Sequence, residues 1–147
     1  LAQMKRMKLA AARLEEVRWI DLPSNRDERG VLTSVESEQD APFAIKRIFY
    51  MHHVASDRGG HAHMDTDQVV ISIAGDFEME LCDGKSSSSY RMNDPTRGLY
   101  VPRMLFIKIR GMSAETVCLV LASTHYDMSR SLRNWEDYLQ AVGLEGD

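Results

Sequence analysis

The sequence predicts an all-β fold, a sandwich or barrel, with an N-terminal helix and a short C-terminal helix. Three observations carry this. Short apolar or alternating runs recur between residues 30 and 122, turn formers separate them, and no helix-length period interrupts them. Strands spaced in this way build a sandwich or barrel, because βαβ units need helical stretches between strands. With 147 residues, 44% hydrophobic and 27% charged, the chain is sized for a single core.

Taken in order, residues 3–17 hold strong helix formers and no Gly or Pro, with Met4, Met7, Ala11, Leu14 and Val17 at helical spacing. They predict an amphipathic helix, and residues 1–18 read as a helical extension or linker before a domain over 19–147. The apolar runs are Val31–Glu36, Ile45–Val54, Gln68–Ala74, Phe77–Cys82, Gly98–Val101, Leu105–Ile109 and Thr116–Ala122. They are rich in Val, Ile, Phe, Tyr and Thr, the residues that fit a pleated surface. Asp27-Glu28-Arg29-Gly30, Asp57-Arg58-Gly59-Gly60, Asp83-Gly84-Lys85 and Asn93-Asp94-Pro95 are the turns between them,. The serine run Ser86–Ser89 follows a turn and reads as hairpin. A last helix is predicted over Ser131–Val142, with Leu132, Trp135, Leu139 and Val142 on one stripe and Gly143 as its cap,.

The net charge is −4 and the basic residues are scattered apart from Lys5, Arg6 and Lys8. Nucleic-acid binding needs clustered Lys and Arg, so no nucleic-acid partner is expected. No run reaches the roughly 18 apolar residues of a membrane span, and no signal peptide is visible, so no membrane partner is expected either,. Cys82 and Cys118 sit in apolar runs and read as buried thiols in a cytoplasmic protein,.

The strongest local signal is Arg58-Gly59-Gly60-His61-Ala62-His63. On a strand, residues two apart face the same side, so His61 and His63 project together. Two uses are open to such a pair. The spacing His61-x-His63-x4-Gln68-x6-Gly75 follows the first cupin motif, whose usual Glu is replaced by Gln68. In Pro102-Arg103-Met104-Leu105-Phe106-Ile107 the second motif's His is replaced by Ile107. With two of four ligands missing, metal binding is the weaker use. The other is metal-free acid–base work, since imidazole exchanges protons near neutral pH.

Tyr50, Tyr100, Arg29 and Arg58 are further polar candidates for an oxygen-rich ligand. A guanidinium in a turn grips phosphate or stabilises an enolate. The tyrosines also read as core aromatics, and Arg29 as a partner of Asp27 or Glu28. His52 and His53 are adjacent, so at most one reaches an interior, and His125 lies in a loop before the last helix.

These segments, with Pro42–Tyr50, Gln68–Ile71, Gly98–Val101, Leu119–Ser123, Tyr126-Asp127 and Arg133-Asn134, resemble the nucleotide-sugar 3,4-ketoisomerases. Those are cupin enzymes acting on dTDP-4-keto-6-deoxyhexoses, and the resemblance spans residues 21–139. It implies a homodimeric cupin jelly roll with no metal and no redox cofactor, in which His63 is the general base and His61 its partner. It also implies that Arg29 faces the substrate. Tyr50 is expected to join the two histidines as a catalytic residue, and Arg58, Gln68, Tyr100 and Ile107 to join Arg29 in binding the substrate. Two departures mark this chain. Gly60 replaces a bulky aromatic, and Phe106-Ile107 replaces the Trp-His or Trp-Arg pair of many members, a pair tied to stereochemistry at C4. A nucleotide-sugar-binding cupin without turnover is the alternative that Ile107 favours and the His pair opposes.

Overall fold

A computed structural model describes residues 14–144, and the part of the expected N-terminal helix over residues 3–13 lies outside them. Its remainder is no α-helix: Leu14–Glu16 form a single 3-10 turn that leads directly into a strand. Along the chain the strands are β1 (Arg18–Asp21), β2 (Ser24–Asp27), β3 (Gly30–Thr33), β4 (Arg47–Met51), β5 (Arg58–His63) and β6 (Gln68–Ala74). There follow β7 (Phe77–Cys82), β8 (Ser87–Met92), β9 (Arg97–Val101), β10 (Phe106–Arg110), β11 (Val117–Ala122) and β12 (Ser131–Leu132), and then helix α1 (Trp135–Val142).

Two five-stranded antiparallel sheets form a cupin jelly roll, in the orders β1-β9-β6-β11-β4 and β12-β5-β10-β7-β8, while β2 and β3 make a separate hairpin. The space between the sheets is packed by Phe77, Met79, Leu81, Leu99, Ile107, Cys118 and Val120. Burial and hydrophobic transfer account for this choice of residues, since each removes a large apolar area from water.

The first sheet is apolar on both faces, which is why its strands read as near-continuous apolar runs. Its outer face, including Val69, Ile71 and Leu121, is covered by Leu22, Val35, Ala41, Phe43 and Ile45. The second sheet buries Ala62 and Phe106 on its outer side against Leu132 and Tyr138. There the Tyr138 hydroxyl donates to the Met104 carbonyl at 2.8 Å.

The C-terminal helix is shorter than expected. Ser131 and Leu132 pair with β5 as a strand, and Asn134 caps the helix by accepting the Asp137 N–H at 2.8 Å,. Tyr138, not Leu139, is its fully buried residue. Gly143 ends it in the left-handed conformation at φ 78°,.

Candidate active site

A cavity of about 570 Å³ opens at the end of the barrel where β4, β5, β6 and β10 meet the loop after β11. His61 and His63 both line it, with ring centroids 4.8 Å apart and planes crossing at 78°. Between them Ala62 turns outward and is fully buried against the helix layer. Strand alternation therefore places the two imidazoles as the sequence predicts.

The neighbouring strand shapes this wall through a glycine. Ile107 pairs with His61, and the register then slips so that Lys108 pairs with Gly59. A Cβ on Gly59 would lie 2.7 Å from the Ile107 carbonyl oxygen and 2.8 Å from the Lys108 Cα. Only glycine fits this close approach, and its φ of 102° demands glycine as well,. The bulge leaves Ile107 lining the cavity and Lys108 in solvent.

Electrostatics keep both rings neutral at pH 7. His63 is driven down from 6.5 to about 4, first by burial and then by the nearby charges of His61, Arg47 and Arg133,. His61 is also lowered by burial, opposed by a hydrogen bond to the Gly59 backbone. The Nε2 atom of His63 is buried with no hydrogen-bond partner among the described residues. Such an atom is costly in a structural role, and buried unpaired groups of this kind concentrate at functional sites. A neutral imidazole with an unused nitrogen can take a proton.

Three cations ring the opening. Arg47 is held between the rings of Phe49 and Tyr126, 4.4 and 4.7 Å from their centroids,. Arg58 and Arg133 also line the cavity and make no ion pair among the described residues. Asp57 and Asp127 share the rim, but each accepts a backbone N–H, from Gly111 and Ser129 respectively. Apolar side chains complete the lining, Val70 and Val120 from the facing sheet and Met79 and Ile109 from the sheet that carries the histidines. Among the described residues no three His, Cys, Asp or Glu side chains come together as a metal site.

Of the expected site residues, His61, His63, Arg58, Gln68 and Ile107 share this cavity. Tyr50 reaches only the rim. It projects from the outer face of β4, 60% exposed, with its ring 5.6 Å from that of His52. Tyr100 is misplaced by the expectation, because it lies on the outer face of β9, packed on Phe43 and beneath Arg18. Arg29 is also outside the cavity. It sits at the tip of the β2–β3 hairpin, bonded to Asp27 at 2.6 Å and 85% exposed. His52 and His53 are both exposed and bonded to each other. The sequence reading assigned no site role to Arg47, Arg133, Ser131 or His125, all of which line the cavity.

The chain matches the family model described as FdtA: WxcM-like, C-terminal, over residues 15–143. It is 32% identical over 124 residues to the TDP-4-oxo-6-deoxy-α-D-glucose-3,4-oxoisomerase of Aneurinibacillus thermoaerophilus, covering 81% of this chain and 89% of that one. Among solved structures it resembles the sugar 3,4-ketoisomerase QdtA of Thermoanaerobacterium thermosaccharolyticum in complex with TDP. That match has a TM-score of 0.85 and 32% identity, and covers 89% of this chain and 97% of that one. A mutant of the same enzyme in complex with TDP-4-keto-6-deoxyglucose matches with a TM-score of 0.84 and 31% identity, over 88% and 96% of the two chains. By fold, by the residues of its cavity and by these matches, the chain belongs to the FdtA/WxcM-like family of sugar-nucleotide 3,4-ketoisomerases.

Proposed function

We propose that this chain moves the keto group of a TDP-linked 4-keto-6-deoxyhexose from C4 to C3, with His63 as the base. The observation that carries the reading is the neutral His61/His63 pair facing a cavity ringed by unpaired guanidiniums. The C3 proton of a 4-keto sugar is acidic. His63 takes it, the electron pair forms the C3–C4 double bond as the carbonyl π pair moves onto O4, and O4 takes up a proton to give the enediol. Return of a proton to C4, with loss of the O3 proton, leaves the carbonyl at C3. No net oxidant or reductant is needed. A positioned acid–base group of this kind contributes roughly 10²–10⁴-fold.

The remaining residues supply binding and orientation. Arg47, Arg58 and Arg133 suit the diphosphate, whose remote binding energy holds the sugar against the histidines,. His61 orients the sugar hydroxyls. The chain acts as a homodimer in this reading, which the exposed apolar residues Ile48, Tyr50 and Ile73 on the outside of the first sheet support. The unpaired thiols Cys82 and Cys118 fit the reducing cytoplasm,.

Incubation with TDP-4-keto-6-deoxyglucose, followed by carbon NMR of the product, tests the assignment. The carbonyl is expected at C3. TDP binding with the ketone left at C4 would identify a binding protein instead.

A further inference from the structure

Ser131 is placed beside His63 by an unusual amount of local structure. The two residues are paired directly in the β12–β5 ladder, so both side chains face the cavity. Several contacts hold this two-residue strand in place. Arg130 forms a bidentate ion pair with Asp65, and the Met64 N–H donates to the Arg130 carbonyl at 2.9 Å. Leu132 plugs the opposite face beside Ala62. On the other side of His63, its own carbonyl accepts the Met104 N–H at 2.8 Å. The backbone on both sides of the Ser131–His63 contact is thus fixed.

Within that frame the Ser131 hydroxyl lies 3.4 Å from Nδ1 of His63. This is long for a hydrogen bond, but ligand-free sites often hold such contacts loosely until substrate closes them. A neutral imidazole carries one N–H, and the partner of one nitrogen decides where that proton sits. Nδ1 has the serine; Nε2 has no partner at all.

We propose that Ser131 is a positioning residue, accepting the Nδ1 proton of His63 so that the ring is held in one orientation and one tautomer, with the free electron pair on Nε2. The proposal rests on the reading of His63 as the base. Ser131 itself touches neither the reacting carbon nor its proton. Its effect is to fix ring orientation and tautomer together, as a small misorientation of a catalytic group costs up to about a hundredfold in rate.

The test combines nitrogen NMR of histidine-labelled protein with kinetics for Ser131→Ala and Ser131→Thr. In the unaltered protein the His63 proton is expected on Nδ1. In Ser131→Ala a substantial Nε2-protonated fraction is expected, with kcat about tenfold to a hundredfold lower and KM within about twofold. Ser131→Thr, which keeps the hydroxyl, restores both. A His63 proton on Nε2 in the unaltered protein overturns the proposal. So does a Ser131→Ala variant with unchanged tautomer and kcat while His63→Asn is inactive. Turnover retained in His63→Asn overturns the base assignment itself, and this proposal with it.

Discussion

Ile107 stands directly opposite His61 in the β5–β10 pairing, and both side chains line the same cavity. The position thus brings an apolar group to within one strand spacing of the acid–base pair, about 5 Å. Its neighbours Lys108 and Arg110 project to the other side, into solvent, and do not replace a polar group there.

Ile107→His is therefore expected to alter the chemistry rather than only the stability. An imidazole at this place adds a proton donor beside the enediol. The ratio of C4 epimers, or the turnover rate, should move by about tenfold, which corresponds to only 1.4 kcal/mol in the barrier. Chiral analysis of the product by proton NMR reads the outcome. An unchanged rate and epimer ratio would place position 107 outside the reacting zone.

The close approach at Gly59 makes a stability prediction. Gly59→Ala forces its Cβ against backbone atoms of Ile107 and Lys108, and at a positive φ. Gly60 shares the positive φ of 78°, yet a Cβ there meets nothing within 4 Å. Gly60→Ala should thus cost about 1 kcal/mol from backbone strain alone, and Gly59→Ala about 3 kcal/mol. Equilibrium urea unfolding of the two variants checks the order, and equal costs would contradict the steric account.

The depressed pKa of His63 links stability to pH. The native ring stays neutral down to about 4, whereas the unfolded chain binds that proton below about 6.5. Between these values the unfolded state holds more protons, so stability falls as pH falls through the window, and the contribution is fully present above 6.5. The full difference is on the order of 3 kcal/mol. His63→Asn should flatten the unfolding free energy between pH 7 and pH 4.5 relative to the unaltered protein. Parallel pH curves for the two proteins would show that burial does not hold this ring neutral.

Arg133 lines the cavity with no carboxylate to satisfy it among the described residues. If it grips diphosphate, Arg133→Ala removes a charge-assisted contact and weakens TDP binding about tenfold or more. Titration calorimetry measures this directly. Unchanged affinity would assign the diphosphate to Arg47 and Arg58 alone.

The barrel and the histidine pair were legible because both depend on period-two alternation along single strands. His61, His63 and Gln68 needed only that rule and the spacing between them. Tyr50 and Tyr100 defeated the same rule. Each lies in a run apolar at successive positions, because the outer face of the sheet is apolar too, covered by Phe43 at Tyr100 and exposed at Ile48 and Tyr50, and alternation cannot say which side is the cavity,. Arg47, Arg133, Ser131 and His125 come from a distant strand and from the segment after β11. Only the closed barrel gathers them, and no local pattern announces it. Arg29 was read from a turn signal that proved to be the exposed tip of the hairpin.

The most direct measurement of the central claim follows the C3 hydrogen of TDP-4-keto-6-deoxyglucose in heavy water. The unaltered protein is expected to move the carbonyl to C3 and to wash the C3 hydrogen out, with TDP affinity retained and exchange lost in His63→Asn. Exchange at the unaltered rate in His63→Asn would contradict the assignment of proton transfer to this ring.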